Sequence, residues 1–132
     1  MKQFFTFLIL TLFINYSYAQ DAEVIIPSFA FEDAIHVDVF VNVVRCFSDD
    51  SEYVNVQIFN ESGMKRIVGC DVLLKDTFGN NQSISISPIE IEFMELAASD
   101  CKNPLDRKFL FPLSPKIDKK SLDVQVQFNI IE

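Results

Sequence analysis

The chain has 132 residues, a formal net charge of −8 and 49% apolar residues, a balance that supports one packed domain and excludes a disordered polyanion. Acidity of this size also excludes nucleic acid and anionic membranes as natural partners. One histidine, no tryptophan and three glycines leave little material for histidine-based catalysis, a sugar-stacking platform or a glycine-rich phosphate loop.

Residues 1–19 read as a secretory signal peptide. Lys2 supplies the basic start, Phe4 to Ile14 carry no charge, and Ser17 and Ala19 stand at the −3 and −1 positions of a cleavage site. The apolar run is short for a bilayer span, which takes roughly 20 residues. Cleavage removes Lys2 and no acid, so the remaining domain, residues 20–132, is one unit more acidic. The expected destination is extracellular, or the periplasm or cell surface if the source is bacterial, with no integral membrane segment after cleavage.

Strand signals follow at regular intervals. Val24 to Phe31 alternates but contains Pro27, which suits an edge strand because proline lacks an N–H. Ile35, Val37, Val39, Val41 and Val43 alternate with His36, Asp38, Phe40, Asn42 and Val44, period two over ten β-branched-rich residues. The second face of this run is itself partly apolar, which predicts burial on both sides. Val54, Val56 and Ile58 share one face of the next run. Val68, Cys70, Val72 and Leu74 share one face of the run after it. Ile84 and Ile86 alternate with serines, Pro88 interrupts, and Ile89, Ile91 and Phe93 resume, which predicts a bulge or an edge. Residues 93–100 suggest a short helical turn. Phe109, Phe111 and Leu113 form a brief run. Leu122, Val124, Val126, Phe128 and Ile130 then oppose Asp123, Gln125, Gln127 and Asn129, the pattern of a half-buried strand. Strands at this spacing, separated by turn residues, predict an all-β antiparallel β-sandwich, immunoglobulin-like in a loose sense, with a small antiparallel barrel as the alternative.

If neighbouring strands simply reverse, the turns at 48–51 and 76–81 and the loop at 112–120 share one end. The turn at 60–63 and the segment 97–103 share the other. The first end collects Asp49, Asp50, Glu52, Asp76, Asn80, Asn81 and Asp118. Hard oxygen ligands from several loops suit calcium, so Asp49, Asp50, Asp76 and Asn80 are candidate ligands, and calcium is the one cofactor considered. The placement is similar to that in C2 and cadherin-type sandwiches, without their sequence motifs. Asp76-Thr-Phe-Gly-Asn80 also resembles the Asp-x-x-Gly-Asn hairpin of bacterial immunoglobulin-like extracellular domains, a likeness of turn chemistry that implies a sandwich.

An oxidising compartment makes one disulfide and one free thiol the expectation for three cysteines. Cys46 with Cys101 is the favoured pair and Cys70, on an apolar strand face, the buried thiol. The reversal rule places Cys46 and Cys101 at opposite ends, so this pair requires the chain around 93–106 to run back over the sandwich; otherwise Cys70 pairs with Cys101. Asn60-Glu-Ser62 and Asn81-Gln-Ser83 are glycosylation sequons in expected turns, making Asn60 and Asn81 candidate glycan carriers. Glu90 and Glu92 share a strand face and read as solvated, as does the lone His36. No enzyme is expected. The functional expectation is a secreted binding, recognition or structural module for an extracellular protein or surface ligand. It would act through loops at one end or through an apolar patch around Phe40, Phe59 and Phe78. The alternatives are a calcium-dependent module and a carrier of small apolar ligands, which needs an internal cavity of some 300 Å³ or more.

Overall fold

A computed structural model describes residues 21–131; the leader sequence read at residues 1–19 lies outside them. Among these residues every long element is a strand. They are β1 (Ala22–Glu32), β2 (Val37–Cys46), β3 (Ser51–Asn60), β4 (Arg66–Lys75), β5 (Asn81–Ile91), β6 (Leu96–Ala97), β7 (Leu110–Pro112) and β8 (Asp123–Ile131), with one 3₁₀ turn at Lys119–Ser121. They form two antiparallel sheets. One runs β1-β2-β3, with β6 and β7 sharing the far edge of β3; the other runs β5-β4-β8. The sheets do not close into a barrel. The architecture is a β-sandwich, and the likeness to immunoglobulin domains is one of layers: here the first three strands follow one another within a single sheet.

The period-two pattern explains the layers. Val37, Val39 and Val41 of β2 and Val54, Val56 and Ile58 of β3 face Val68, Cys70, Val72 and Leu74 of β4, with Ile84, Ile86 and Ile91 of β5 and Val124 of β8 completing the core. These side chains are mostly β-branched, which costs little entropy on a pleated surface. Each fully buried valine or isoleucine contributes roughly 1.5–3 kcal/mol. β8 buries one face and leaves Asp123, Gln125 and Gln127 outside, as its alternation predicts.

Both proline-bearing runs are edges. The register of β1 against β2 shifts on either side of Ile26, beside Pro27. In β5 the shift falls between the Val68–Ile89 and Cys70–Ile86 pairs, where Pro88 interrupts. Gly69 sits opposite. A Cβ there would lie 2.5 Å from the Ile86 carbonyl oxygen and 2.9 Å from the Pro88 nitrogen. Only a residue without a side chain lets the bulged strand come this close.

β2 is buried on both faces, as its composition suggests. Val44 and Cys46 join Ala22, Cys101 and Leu110 in a second small cluster, with Tyr53 against it. Asn42 and Asn55 sit opposite one another on this outer face, both buried. Their carboxamide oxygens have no hydrogen-bond partner among the described residues.

Two expectations need correction. Residues 93–100 make no helical turn; Leu96 and Ala97 pair instead with Phe59 and Ile58, because the open edge of β3 offers backbone partners that so short a helix could not match. The segment 97–103 also does not stay at the far end. From β6 the chain runs back along β3, and Cys101 reaches Cys46 with the Cα atoms 5.4 Å apart. The disulfide closes a separation of 55 residues and stabilises the fold by about 2–4 kcal/mol. Cys70 is the buried free thiol.

Gly69→Ala is expected to lower unfolding free energy by about 1–3 kcal/mol, the range for overpacking a filled site. Urea denaturation of the purified domain measures it, and an unchanged midpoint would show that the bulge relaxes.

Candidate functional site

The two ends of the sandwich carry the loops, and their chemistry differs. The first end holds the 47–50 turn, the 76–80 turn and the loop after β7, which are brought together as the reversal rule predicts. The Asp118 N–H and the Ser121 hydroxyl both reach the 76–80 turn. Yet its acids are already engaged. One Asp76 oxygen accepts from the N–H groups of Phe78 and Asn80, both at 2.9 Å. The other accepts from Asn80 Nδ2 and the Asp118 N–H, both at 2.9 Å. Those four bonds occupy the lone-pair sites of a carboxylate and hold Asp76 below the usual carboxylate range, the Asp118 N–H contributing most.

Asp49 is bound by the Tyr53 hydroxyl and by Arg107 Nη1 at 2.8 Å. The guanidinium also lies over the Tyr53 ring, 5.0 Å from its centroid, and donates to Ser48 Oγ. This group fastens the turn before β3 to the loop that carries Cys101. The Tyr53 hydrogen bond, then that of Arg107, keeps Asp49 below its ordinary value. Glu52 is held down in the same way by Lys119, 2.7 Å away, and by Arg45 at 3.0 Å. Asp50 is exposed, 3.9 Å from Arg45. The structure therefore does not bring Asp49, Asp50, Asp76 and Asn80 together as ligands. Among the described residues no three His, Cys, Asp or Glu side chains converge closely enough to hold a metal.

A cleft of about 400 Å³ opens at the same end between Ser51, Glu52, residues 112–115, Ile117 and Lys119. The Glu52–Lys119 ion pair forms part of its wall, so it differs from the enclosed apolar cavity that a carrier of apolar ligands needs. Phe78 is exposed at this end, far from Phe40 and Phe59, which are half-buried on the outer face of the first sheet. The three do not form one patch.

The second end is organised by Asn60, whose side chain is fully buried. Its Nδ2 donates to the Met64 carbonyl at 2.8 Å and to the Ile91 carbonyl at 2.9 Å. Its Oδ1 accepts from the N–H of Ser62 at 3.0 Å and from the Ser62 hydroxyl at 2.6 Å. The Asn60 backbone binds the next loop as well: its carbonyl accepts from Met94 N–H at 2.7 Å, and its N–H donates to the Glu95 carbonyl at 3.2 Å. The loops 61–65 and 92–95 are thereby fixed side by side.

These loops and the start of β6 present large apolar side chains to solvent: Met64 is 56% exposed, Phe93 51%, Met94 58% and, on β6, Leu96 50%. Met94 adopts φ +65°, a left-handed conformation that a non-glycine residue holds only where its surroundings over-determine it. Leu96 lies across from Phe59, which extends the apolar surface toward the first sheet. Acids surround it. Glu32, Asp33 and Asp38 come from the β1–β2 hairpin, whose His36 carbonyl binds the Glu61 N–H. Glu90, Glu92 and Glu95 come from the end of β5 and the loop beyond it. Burial, then the charges of Glu61 and Glu32, raises Asp38 above its ordinary value.

Sequence reasoning missed this end. A signal was present in Glu92-Phe93-Met94-Glu95, an apolar pair between acids where the Ile89, Ile91, Phe93 alternation ends. The role of Asn60 was masked by its sequon. The amide nitrogen donates to the Met64 and Ile91 carbonyls, so the atom that would carry a glycan is committed inside the fold, whereas Asn81 is exposed. Cys70 is buried, and desolvation pushes its thiol up to about 11, which leaves it unreactive near neutrality. Glu90 pairs with Lys65 at 3.1 Å. The chain matches no known protein family, no curated protein and no solved structure.

When the protein is produced in a glycosylating host, mass spectrometry is expected to find Asn60 unmodified. Asn60→Ala should destabilise the fold by about 1–3 kcal/mol, because the buried Ile91 carbonyl loses its donor. Asp38 sets a pH dependence. A carboxyl raised in the folded state binds its proton more tightly there, so its destabilising effect is absent below the unfolded value and complete above the folded one. Asp38→Asn should therefore raise the melting temperature at neutral pH, with the gain shrinking as pH falls through the carboxylate range. Asp49 and Glu52 have the opposite sign: their stabilisation is present above the ordinary carboxylate value and lost on acidification.

Proposed function

We propose that the protein is a secreted, non-enzymatic recognition module that binds a polypeptide partner through its Asn60 end. The observation that carries this reading is the exposure of Met64, Phe93, Met94 and Leu96 on two loops locked to one buried side chain and on the start of β6. Scattered exposed apolar residues are ordinary on any surface; a fixed cluster rimmed by polar groups is the usual form of an interaction site. Because the loops are already hydrogen-bonded, little ordering entropy opposes association. Methionine adapts to irregular apolar surfaces, which suits two of the four positions.

Export is supported by the leader pattern at residues 1–19 and by the Cys46–Cys101 disulfide, a bond that persists in oxidising compartments. Among the described residues no helix is long and apolar enough to cross a membrane. At the opposite end, the four engaged lone pairs of Asp76 count against a calcium-dependent module.

The test is cross-linking of the exported protein to its neighbours in the medium or at the surface of the producing cell. A Phe93→Ser, Met94→Ser double variant is expected to keep its melting temperature and lose the cross-linked product, while Phe78→Ser at the other end keeps it. Loss with Phe78→Ser and retention with the double variant would place the binding surface elsewhere.

A further inference from the structure

The charge around the apolar cluster states what kind of partner fits it. We infer that the Asn60 end docks a basic polypeptide segment, one whose apolar side chains are flanked by lysine or arginine. This rests on the reading of that end as the binding surface and adds the partner's chemistry.

The acidic excess of the molecule is unevenly placed. At the Cys46 end, Asp49, Glu52 and Asp50 are answered by Arg107, Lys119 and Arg45. At the Asn60 end, Glu32, Asp33, Asp38, Glu61, Glu90, Glu92 and Glu95 meet only Lys65 and Arg66 as lysine or arginine side chains, so carboxylates outnumber these cations. Lys65 is bonded to Glu90, and Arg66 donates through Nε to the Ser62 hydroxyl inside the 61–65 loop. His36 pairs with Glu32 on the hairpin itself. Asp38, whose carboxyl is raised first by burial and then by the charges of Glu61 and Glu32, lies among these acids.

Three other occupants are disfavoured by the same charges. A second copy of this chain would bring an identical acidic rim against the first. An anionic lipid surface and a nucleic acid carry the wrong sign. A basic segment relieves the repulsion while its apolar side chains cover Met64, Phe93, Met94 and Leu96. In such an arrangement the buried apolar contacts hold the complex, and the rim charges set orientation, association rate and salt dependence.

Nitrogen-15 NMR titration of the mature protein tests this with three synthetic peptides. One carries a leucine–phenylalanine cluster flanked by lysines, one the same cluster flanked by glutamates, and one the lysines with serines replacing the cluster. The lysine-flanked apolar peptide is expected to shift the amides of Met64, Phe93, Met94 and Leu96. It should bind at least about tenfold tighter than either other peptide, and weaken by about tenfold between low salt and roughly 0.5 M salt. Glu92→Gln with Glu95→Gln should reduce that advantage without changing the melting temperature. Equal binding of the lysine- and glutamate-flanked peptides at this end would overturn the basic-partner inference and leave the surface assignment standing. So would equal binding by the serine peptide, or self-association through this end at low salt in sedimentation. Shifts confined to the Cys46 end, or no shift with any peptide, would overturn both.

Discussion

The carboxamide of Asn60 links the end of β3 to the loop after it and to the end of β5, across the two sheets. It closes β3 in one sheet, accepts from Ser62, and donates to Met64 and to Ile91 at the end of β5 in the other sheet. The two layers are therefore tied at this end by a polar side chain lying at the margin of an apolar core. Such a group is stable in burial only when all its bonds are made, and here they are. Its backbone then sets the 92–95 loop, including the left-handed residue Met94, so the shape of the exposed surface depends on a residue that is itself invisible from solvent.

The other end is fastened by different means. Charged pairs, the Arg107–Tyr53 stack and the disulfide hold the returning segment and the β2–β3 turn together. Exposed ion pairs contribute little individually, and the covalent link supplies most of the constraint. Spending the cations there leaves the far end electrostatically one-sided. A charge-paired end and an acid-rimmed end are two consequences of one distribution of a few basic residues.

Much of the sandwich was legible residue by residue. Alternation located β2, β3, β4 and β8, and Pro27 and Pro88 marked the edges, because each of these signals acts within one strand. The shared position of the three loops at the Cys46 end followed from strand reversal alone. The 93–100 segment was misread because its conformation is decided by an unpaired edge on a distant strand. Gly69 carried no special meaning until the bulge opposite it was placed. The acids at 49, 50 and 76 were visible, but their engagement was not: Asp76 is filled partly by an N–H 42 residues further along the chain. Asn60 was read as a surface residue because a sequon and an Asx turn use the same residues that a buried hub does.

By itself, then, the sequence determined the periodic burial: which side chains face inward, that the layers are strands, and where proline interrupts two of them. These properties depend on neighbours one or two residues apart, where chain geometry leaves few choices. Only the tertiary structure decided which loops touch, which acids are neutralised, how Cys101 returns to Cys46, and that Met64 and Met94 both bond to Asn60. Those outcomes depend on contacts between residues tens of positions apart, and their energies exist only once both sheets have closed on the same core.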